Sequence, residues 1–330
     1  MNKNPNIVVI GGGTGSFMLL SALKFHTKNI TAIVNMVDDG GSTGVLRDEV
    51  GVLPPGDVRQ CLVALSDSPR LRDLFNYRFE GGTFDGHSFG NLFLAALEKS
   101  TGSFADAIMT ASEVLSVQGQ VLPVTLDDVR LRMEWPDGEA LEREVTIDAA
   151  HFPQDPKLAS LSVVPMASAN PKALLAISKA DVIVIAPGDL YTSLGPLLVT
   201  RGVGDAIRAS KARKVYVCNL TTKPGQTDGL TVEGHVDEIE RIAGGRIIDT
   251  VLYNSTQPAK ELIDDYEKGG ARIVKREGST HHTYSFVSGD FLGEPVKRNK
   301  NEVHPVTRGL IRHDSEKIAI AIMQRLNEAL

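Results

Sequence analysis

The stretch NIVVIGGGTGSFMLLSAL, residues 6–23, carries an apolar run into a cluster of glycines and then directly into a helical pattern. Such a junction presents backbone amides and a helix N-terminus to an anion, and glycines let a phosphate come close to the chain. A P-loop requires G-x-x-x-x-G-K-[ST], and no lysine stands here. The dinucleotide fingerprint G-x-G-x-x-G/A also fails: counted from Gly11 its last place is Ser16, and counted from Gly13 it is Met18. Asp38 nevertheless stands at the end of the second apolar run, where an NAD enzyme holds its ribose with an acid. Three readings stay open. The loop holds NAD, or it holds another nucleotide or phosphorylated ligand through Gly12, Gly13, Thr14 and Gly15, or it is a tight turn without a ligand.

Further polar loops follow apolar runs. DDGGSTG places Asp38 and Asp39 before Gly40, Gly41 and Ser42. Paired carboxylates there suit a ribose, a base edge or Mg²⁺ held together with ligand phosphates; the alternative is an Asx turn. PPGDVR supplies Asp57 and Arg59, with Asp57 also fit to cap the next helix. APGDLYTSLGPLLVT brings Gly188, Tyr191, Thr192 and Ser193 to the start of a helix. CNLTTKPGQTDGLT follows the next strand with Asn219, Thr221, Thr222 and Lys223. Gly90 and Asn91 lie inside a helical pattern, where Gly costs about 1 kcal/mol against Ala; either close packing or a site-facing Asn91 would account for it. His281 and His282 are adjacent without a third ligand at suitable spacing, and read as surface or strand-end histidines. Neither a nucleophile elbow nor an activated cysteine is present, so no nucleophile or general base is assigned.

The elements that must carry these loops alternate in type. Apolar runs at 7–10, 30–37, 180–188, 214–220 and 247–254 read as buried strands, and helices are expected over 15–26, 171–179, 195–209, 232–243 and 258–268. HSFGNLFLAALEKS and FADAIMTASEVL read as amphipathic helices. Between about 118 and 165 the rhythm changes. VRLRMEWPDGEALEREVTI alternates around Pro136-Asp137-Gly138, the pattern of an antiparallel hairpin. A terminal helix is expected over 313–330, capped by Asp314 or Ser315, with Ile318, Ile322 and Leu326 on one face. Repeated strand–helix units with one inserted hairpin predict a single three-layer α/β/α domain over 1–330 with a mostly parallel sheet. Ligands of such sheets bind at the carboxyl ends of the strands, where all these loops fall.

The 330 residues are 42% hydrophobic and 23% charged, a balance that supports a sizeable core. A net charge of −6 argues against nucleic acid as partner. Two isolated cysteines, Cys61 and Cys218, fit a reducing cytoplasmic setting. Neither a signal peptide nor a membrane-spanning run is read, so membrane insertion is not expected.

With these motifs in place, the chain resembles the YvcK family, the gluconeogenesis-factor branch of the CofD-like superfamily. VVIGGGTG, IVNMVDDGGSTGVLR, GVLPPGDVRQCLVAL, HSFGNLFLAAL, APGDLYTSLGPLLV and LTTKPGQTDGLTVEGHV carry the resemblance, in order along nearly the whole chain. It implies a Rossmann-related CofD-like fold and a cytoplasmic protein tied to gluconeogenic growth, cell shape and cell-wall precursor supply. It implies a UDP-sugar ligand such as UDP-N-acetylglucosamine, with no required cofactor. Contacts in the family imply roles for Tyr266, in DDYEKGGA, and Arg312, in LIRHDSEK. A Tyr stacks on a base and an Arg grips a diphosphate; without the resemblance the two read as a packing residue and a surface charge. Some members are phosphorylated at the position of Ser315 by a Ser/Thr kinase, whereas on sequence grounds Ser315 reads as a cap. The superfamily also implies a homodimer. The related CofD branch transfers a phospholactyl-type group with Mg²⁺, and Asp39 and Asp57 fall near its metal positions. A Mg²⁺-dependent transferase is therefore the second reading and an NAD oxidoreductase the third.

Overall fold

A computed structural model describes residues 4–278, 282–294 and 310–327. Its first strand, β1 (Ile7–Ile10), is sealed on both faces, as a parallel strand between two helical layers must be. The chain continues through α1 (Gly13–Leu23), β2 (Ile30–Val34), α2 (Gly41–Val45), α3 (Gly56–Leu65), α4 (Pro69–Asn76), α5 (Phe89–Thr101) and α6 (Phe104–Val114) to β3 (Gln120–Pro123). An insertion follows, made of β4 (Arg130–Glu134), β5 (Ala140–Glu142), α7 (Glu144–Ala149) and β6 (Ser160–Val164). The rest comprises α8 (Pro171–Lys179), β7 (Val182–Ile185), α9 (Gly195–Val199), α10 (Val203–Ala209), β8 (Arg213–Val217), α11 (Val232–Ile242), β9 (Thr250–Asn254), α12 (Lys260–Lys268), β10 (Ser285–Gly289) and α13 (Ser315–Asn327).

Seven strands form one sheet in the order β10-β9-β8-β7-β1-β2-β3. Every neighbouring pair runs parallel. From β1 the chain builds outward through β2 and β3, then returns to β7 on the other side of β1 and builds the opposite way. Right-handed crossovers therefore put helices on both faces. The strand order reverses between β1 and β7, which opens a crevice at their carboxyl ends. Pro187, Gly188 and Asp189 follow β7 into that crevice, opposite the glycines that follow β1.

The insertion differs from the expected hairpin in one respect. Its β4 and β5 do pair antiparallel around the Pro136-Asp137-Gly138 turn, with Met133 opposite Leu141, but β6 adds a third antiparallel strand on the other side of β4. The segment's first strand, β3, belongs instead to the main sheet beside β2. The helix expected over 195–209 is two helices, because Gly202 between them takes a φ of +97°. In the last helix Asp314 is the cap: its Oδ1 accepts from the amides of Glu316 and Lys317 at 3.0 and 3.1 Å. Ile318 and Ile322 of α13 are buried, and Leu326 packs against the same core. Among the described residues no helix is long and apolar enough to cross a membrane.

Candidate functional site

The loops after β1, β7 and β8 surround a cavity of about 500 Å³ at the sheet's switch point. Gly12, Gly13, Thr14 and Gly15 form one wall. Gly13 sits at φ +63°, and a Cβ on Gly15 would fall inside the Pro187 carbonyl, so both positions demand glycine. Gly12 is the N-cap of α1 and has no side chain to cover the first-turn amides, which leaves that helix end suited to an anion.

Gly188, Ser193, Asn219, Thr221 and Lys223 line the opposite wall. Asn219 locks two loops together: its Nδ2 donates to the Gly188 carbonyl at 2.8 Å and its Oδ1 accepts from the Gly188 amide at 3.1 Å. Lys223 donates to Asp189 at 2.9 Å and also to Asp148 of the insertion. Tyr266, Arg312 and Ser315 close the third side. The Tyr266 hydroxyl accepts from the backbone amides of Leu310 and Ile311, both at 3.2 Å, and so seats the segment that carries Arg312. Next to it, His313 donates Nε2–H to the Cys218 carbonyl at 3.1 Å, and burial holds its pKa down to about 4, so the ring is neutral at pH 7. His313, Asp189 and Met18 also line the cavity and were not singled out from sequence. Only His313 left a signal, in its place next to Arg312.

Other expected site residues stand outside this cavity. Asp38 keeps its carboxylate on its own turn, accepting from the Gly40 amide at 3.1 Å and from Thr43. It is thus not placed to hold a ribose in the cavity, which removes the sequence support for NAD. Gly40 and Gly41 begin α2 beside it. Tyr191 is not at the site at all: its ring is buried in the core against Phe152, 5.2 Å between centroids. Thr192, also buried, donates its hydroxyl to Asp148 at 3.3 Å. Asp57 does not cap α3, whose N-cap is Pro55. It lies one position into the helix and reaches back under the glycine loop, accepting from the Gly13 amide at 2.9 Å. Arg59, Asn91 and Ser42 form a separate polar chain. Arg59 Nε donates to Asn91 Oδ1 at 3.0 Å, and Asn91 Nδ2 donates to Ser42 Oγ at 3.2 Å.

The acids near the glycine loop fit a metal poorly. Asp39 has no exposed side-chain surface, and its oxygens are taken by Arg143 at 3.0 Å, Arg130 at 3.5 Å and the Val145 amide at 3.0 Å. It braces the insertion instead of offering a ligand. Asp57 is half-buried; desolvation first, then the charge of Asp38, pushes it up to about 7. Glu144 of α7 is pushed up to about 8, by burial first and then by Asp38 and the other nearby acids. Among the described residues no group of three or more His, Cys, Asp or Glu is arranged to hold a metal ion. His281 lies outside the described residues, and His282 faces Glu233 at 3.9 Å, away from the cavity.

Comparison with known proteins decides the family. The family model for 2-phospho-L-lactate transferase CofD matches residues 7–292. The gluconeogenesis factor of Bacillus subtilis is 38% identical over 333 residues, covering 99% of this chain and 100% of that protein. The chain belongs to the CofD family and, within it, to the gluconeogenesis factors. The corresponding factor of Halalkalibacterium halodurans is 40% identical over 326 residues, with 98% and 97% covered. A crystal structure of a UPF0052-family protein from Bacillus halodurans superposes on this chain with a TM-score of 0.85 at 38% identity, covering 98% of this chain and 100% of that one.

Proposed function

We propose that this CofD-family chain binds a nucleoside diphosphate sugar of the UDP-N-acetylglucosamine kind in the switch-point cavity. It would act as a regulatory sensor that links gluconeogenic growth to cell-wall precursor supply and cell shape. The observation that carries the reading is the juxtaposition of the glycine loop, with its open helix N-terminus, and Arg312 across one cavity. Amides at a helix start and a guanidinium together suit a diphosphate. Tyr266 and the Thr221–Lys223 loop leave room beside them for a base and a sugar.

A second reading, transfer from a nucleoside diphosphate conjugate, draws support from the family model and from Asp57, a half-buried acid hydrogen-bonded to the glycine loop. Of the two acids suited to Mg²⁺ by sequence, Asp39 is committed to arginines and to the Val145 amide, which leaves Asp57 without that second carboxylate to share an ion.

Calorimetric titration with UDP-N-acetylglucosamine tests the first reading. Saturable binding is expected, weakened roughly tenfold or more by Arg312→Ala through loss of charge-assisted hydrogen bonds. Tyr266→Phe keeps the ring but releases the amides of Leu310 and Ile311, and should weaken binding less. Absence of binding at millimolar ligand would end this reading. Release of UMP from the bound sugar, abolished by Asp57→Asn, would favour the second.

A further inference from the structure

The amino ends of the sheet's strands, opposite the ligand cavity, carry a second hollow of about 620 Å³. The first residues of β1 (Ile7, Val8) and of β2 (Ile30, Thr31) line it, with Gly119 and Gln120 at the start of β3. Its other wall is α8, which contributes Lys172, Leu175, Ala176 and Lys179. These recur at i, i+3, i+4 and i+7 and so share one face of the helix. The opposite face enters the core through Ala173 and Ile177, both fully buried. Lys28, in the turn before β2, is the third lysine of the hollow.

No carboxylate stands among the lining residues. Asp181, which accepts from the Asn6 amide at 2.8 Å, lines a different hollow with Lys211 and Lys214. The three lysines are exposed, and among the described residues their ammonium groups have neither a hydrogen-bond nor an ion-pair partner. The whole chain carries −6, so this grouping of like charge runs against the rest of the molecule. It gives the hollow a local field that favours an anionic partner.

The spread of the charges says what kind. Lys172 and Lys179 are two turns apart, about 10 Å along the helix axis, with Lys28 on the facing wall. They line a groove and do not converge on one small ion. Between them Leu175 is 52% exposed, an apolar contact that a hydrated inorganic ion has no use for. Lysine is a flexible point charge suited to carboxylates on a chain, whereas close recognition of phosphates favours the planar fork of arginine. No arginine lines the hollow. Charge also excludes the chain's own segment 295–309, which holds Lys297, Arg298, Lys300 and Arg308 against Glu302.

We propose that this groove docks an acidic segment of a partner protein, with carboxylates paired to Lys28, Lys172 and Lys179 and an apolar side chain set against Leu175. Both β1 and β7 lead from this end of the sheet to the loops of the ligand cavity, so a docked partner leaves the cavity open.

A fluorescein-labelled peptide of glutamates with spaced leucines is the probe, titrated with the full chain and followed by fluorescence anisotropy at low and at moderate salt. Saturable binding that weakens with salt is expected. Lys28→Ala, Lys172→Ala and Lys179→Ala should each weaken it roughly threefold, the scale of one exposed ion pair. Leu175→Ala should weaken it and keep the salt dependence. Lys157→Ala removes the same charge from an exposed position outside the groove and should change nothing. All five side chains are exposed, so the variants are expected to fold, with circular dichroism as the check. UDP-N-acetylglucosamine binding should be the same in every variant, which separates this test from that of the cavity. Absence of saturable peptide binding overturns the proposal. So does an equal loss in Lys157→Ala, which would reduce the effect to net charge. Single-stranded RNA or anionic lipid vesicles held at the same lysines more tightly than the peptide would overturn it in favour of another class of partner. A free chain that sediments as a dimer until Leu175→Asp splits it would overturn it in favour of a second copy.

Discussion

Asp57 illustrates at the scale of one residue how environment rewrites a side chain's role. Its type and place suggested a helix cap or a metal ligand; the fold makes it a half-buried acid under the glycine loop. The sign of its effect on stability follows directly. The carboxyl titrates near 3.8 when unfolded and at about 7 when folded. Between those values the native state keeps a proton that the unfolded state has lost. Its contribution to stability is therefore full below about pH 4 and falls as the pH rises through about 7. Asp57→Asn keeps an acceptor for Gly13 and removes the titration. The variant should gain roughly 2 kcal/mol over the parent at about pH 8 and little at about pH 4, read from denaturant unfolding at both pH values. A parent whose stability does not fall relative to the variant would mean that Asp57 is ionised and paired. None of this was legible in PPGDVR, because burial arises from the glycine loop lying 44 positions away in sequence. Arg312 is similar: its neighbours in sequence mark it as a surface charge, and only the fold brings it across from Gly13.

At the scale of elements, the strand–helix alternation was legible because parallel strands buried on both faces must be continuous apolar runs, as VIVI and IVVI are. The Pro-Asp-Gly turn likewise announced the β4–β5 pair. Pairing partners are a different matter: QVLP says nothing about lying beside β2, and SFVSG is too short and polar to announce β10. The insertion's seat was equally hidden. Asp39 holds it through Arg143, Arg130 and the Val145 amide, with Arg143 itself at a φ of +77°. Removing the acid's charge leaves two arginines facing a neutral partner. Asp39→Asn should destabilise the chain by about 3 kcal/mol. Hydrogen exchange should rise first in α7 and in the short π-helix Leu46–Val50, which carries Asp48, whether or not Mg²⁺ is present. Protection that depends on added Mg²⁺ would instead mark Asp39 as a ligand.

At the scale of the whole molecule, the cavity is closed by the two ends of the chain. The glycine loop starts α1, while Arg312 and Ser315 lead into α13, which packs on α1. Docking of α13 and completion of the cavity are thus one event, anchored by the fully buried Ile322 on one side and by the Tyr266 hydroxyl on the other. A ligand that needs the complete cavity must then show an apparent Kd raised by the inverse of the fraction of molecules with α13 docked. Ile322 lies outside the cavity lining, so Ile322→Ala separates this coupling from direct contact. The substitution should cost about 2–4 kcal/mol of stability. If local undocking is the cheapest response, it should also raise the Kd for UDP-N-acetylglucosamine several-fold without altering any ligand contact. Calorimetry and unfolding midpoints, measured on the same samples, decide the matter. A lowered midpoint with an unchanged Kd would show that α13 stays seated until the whole chain unfolds, and that the cavity does not sense its docking.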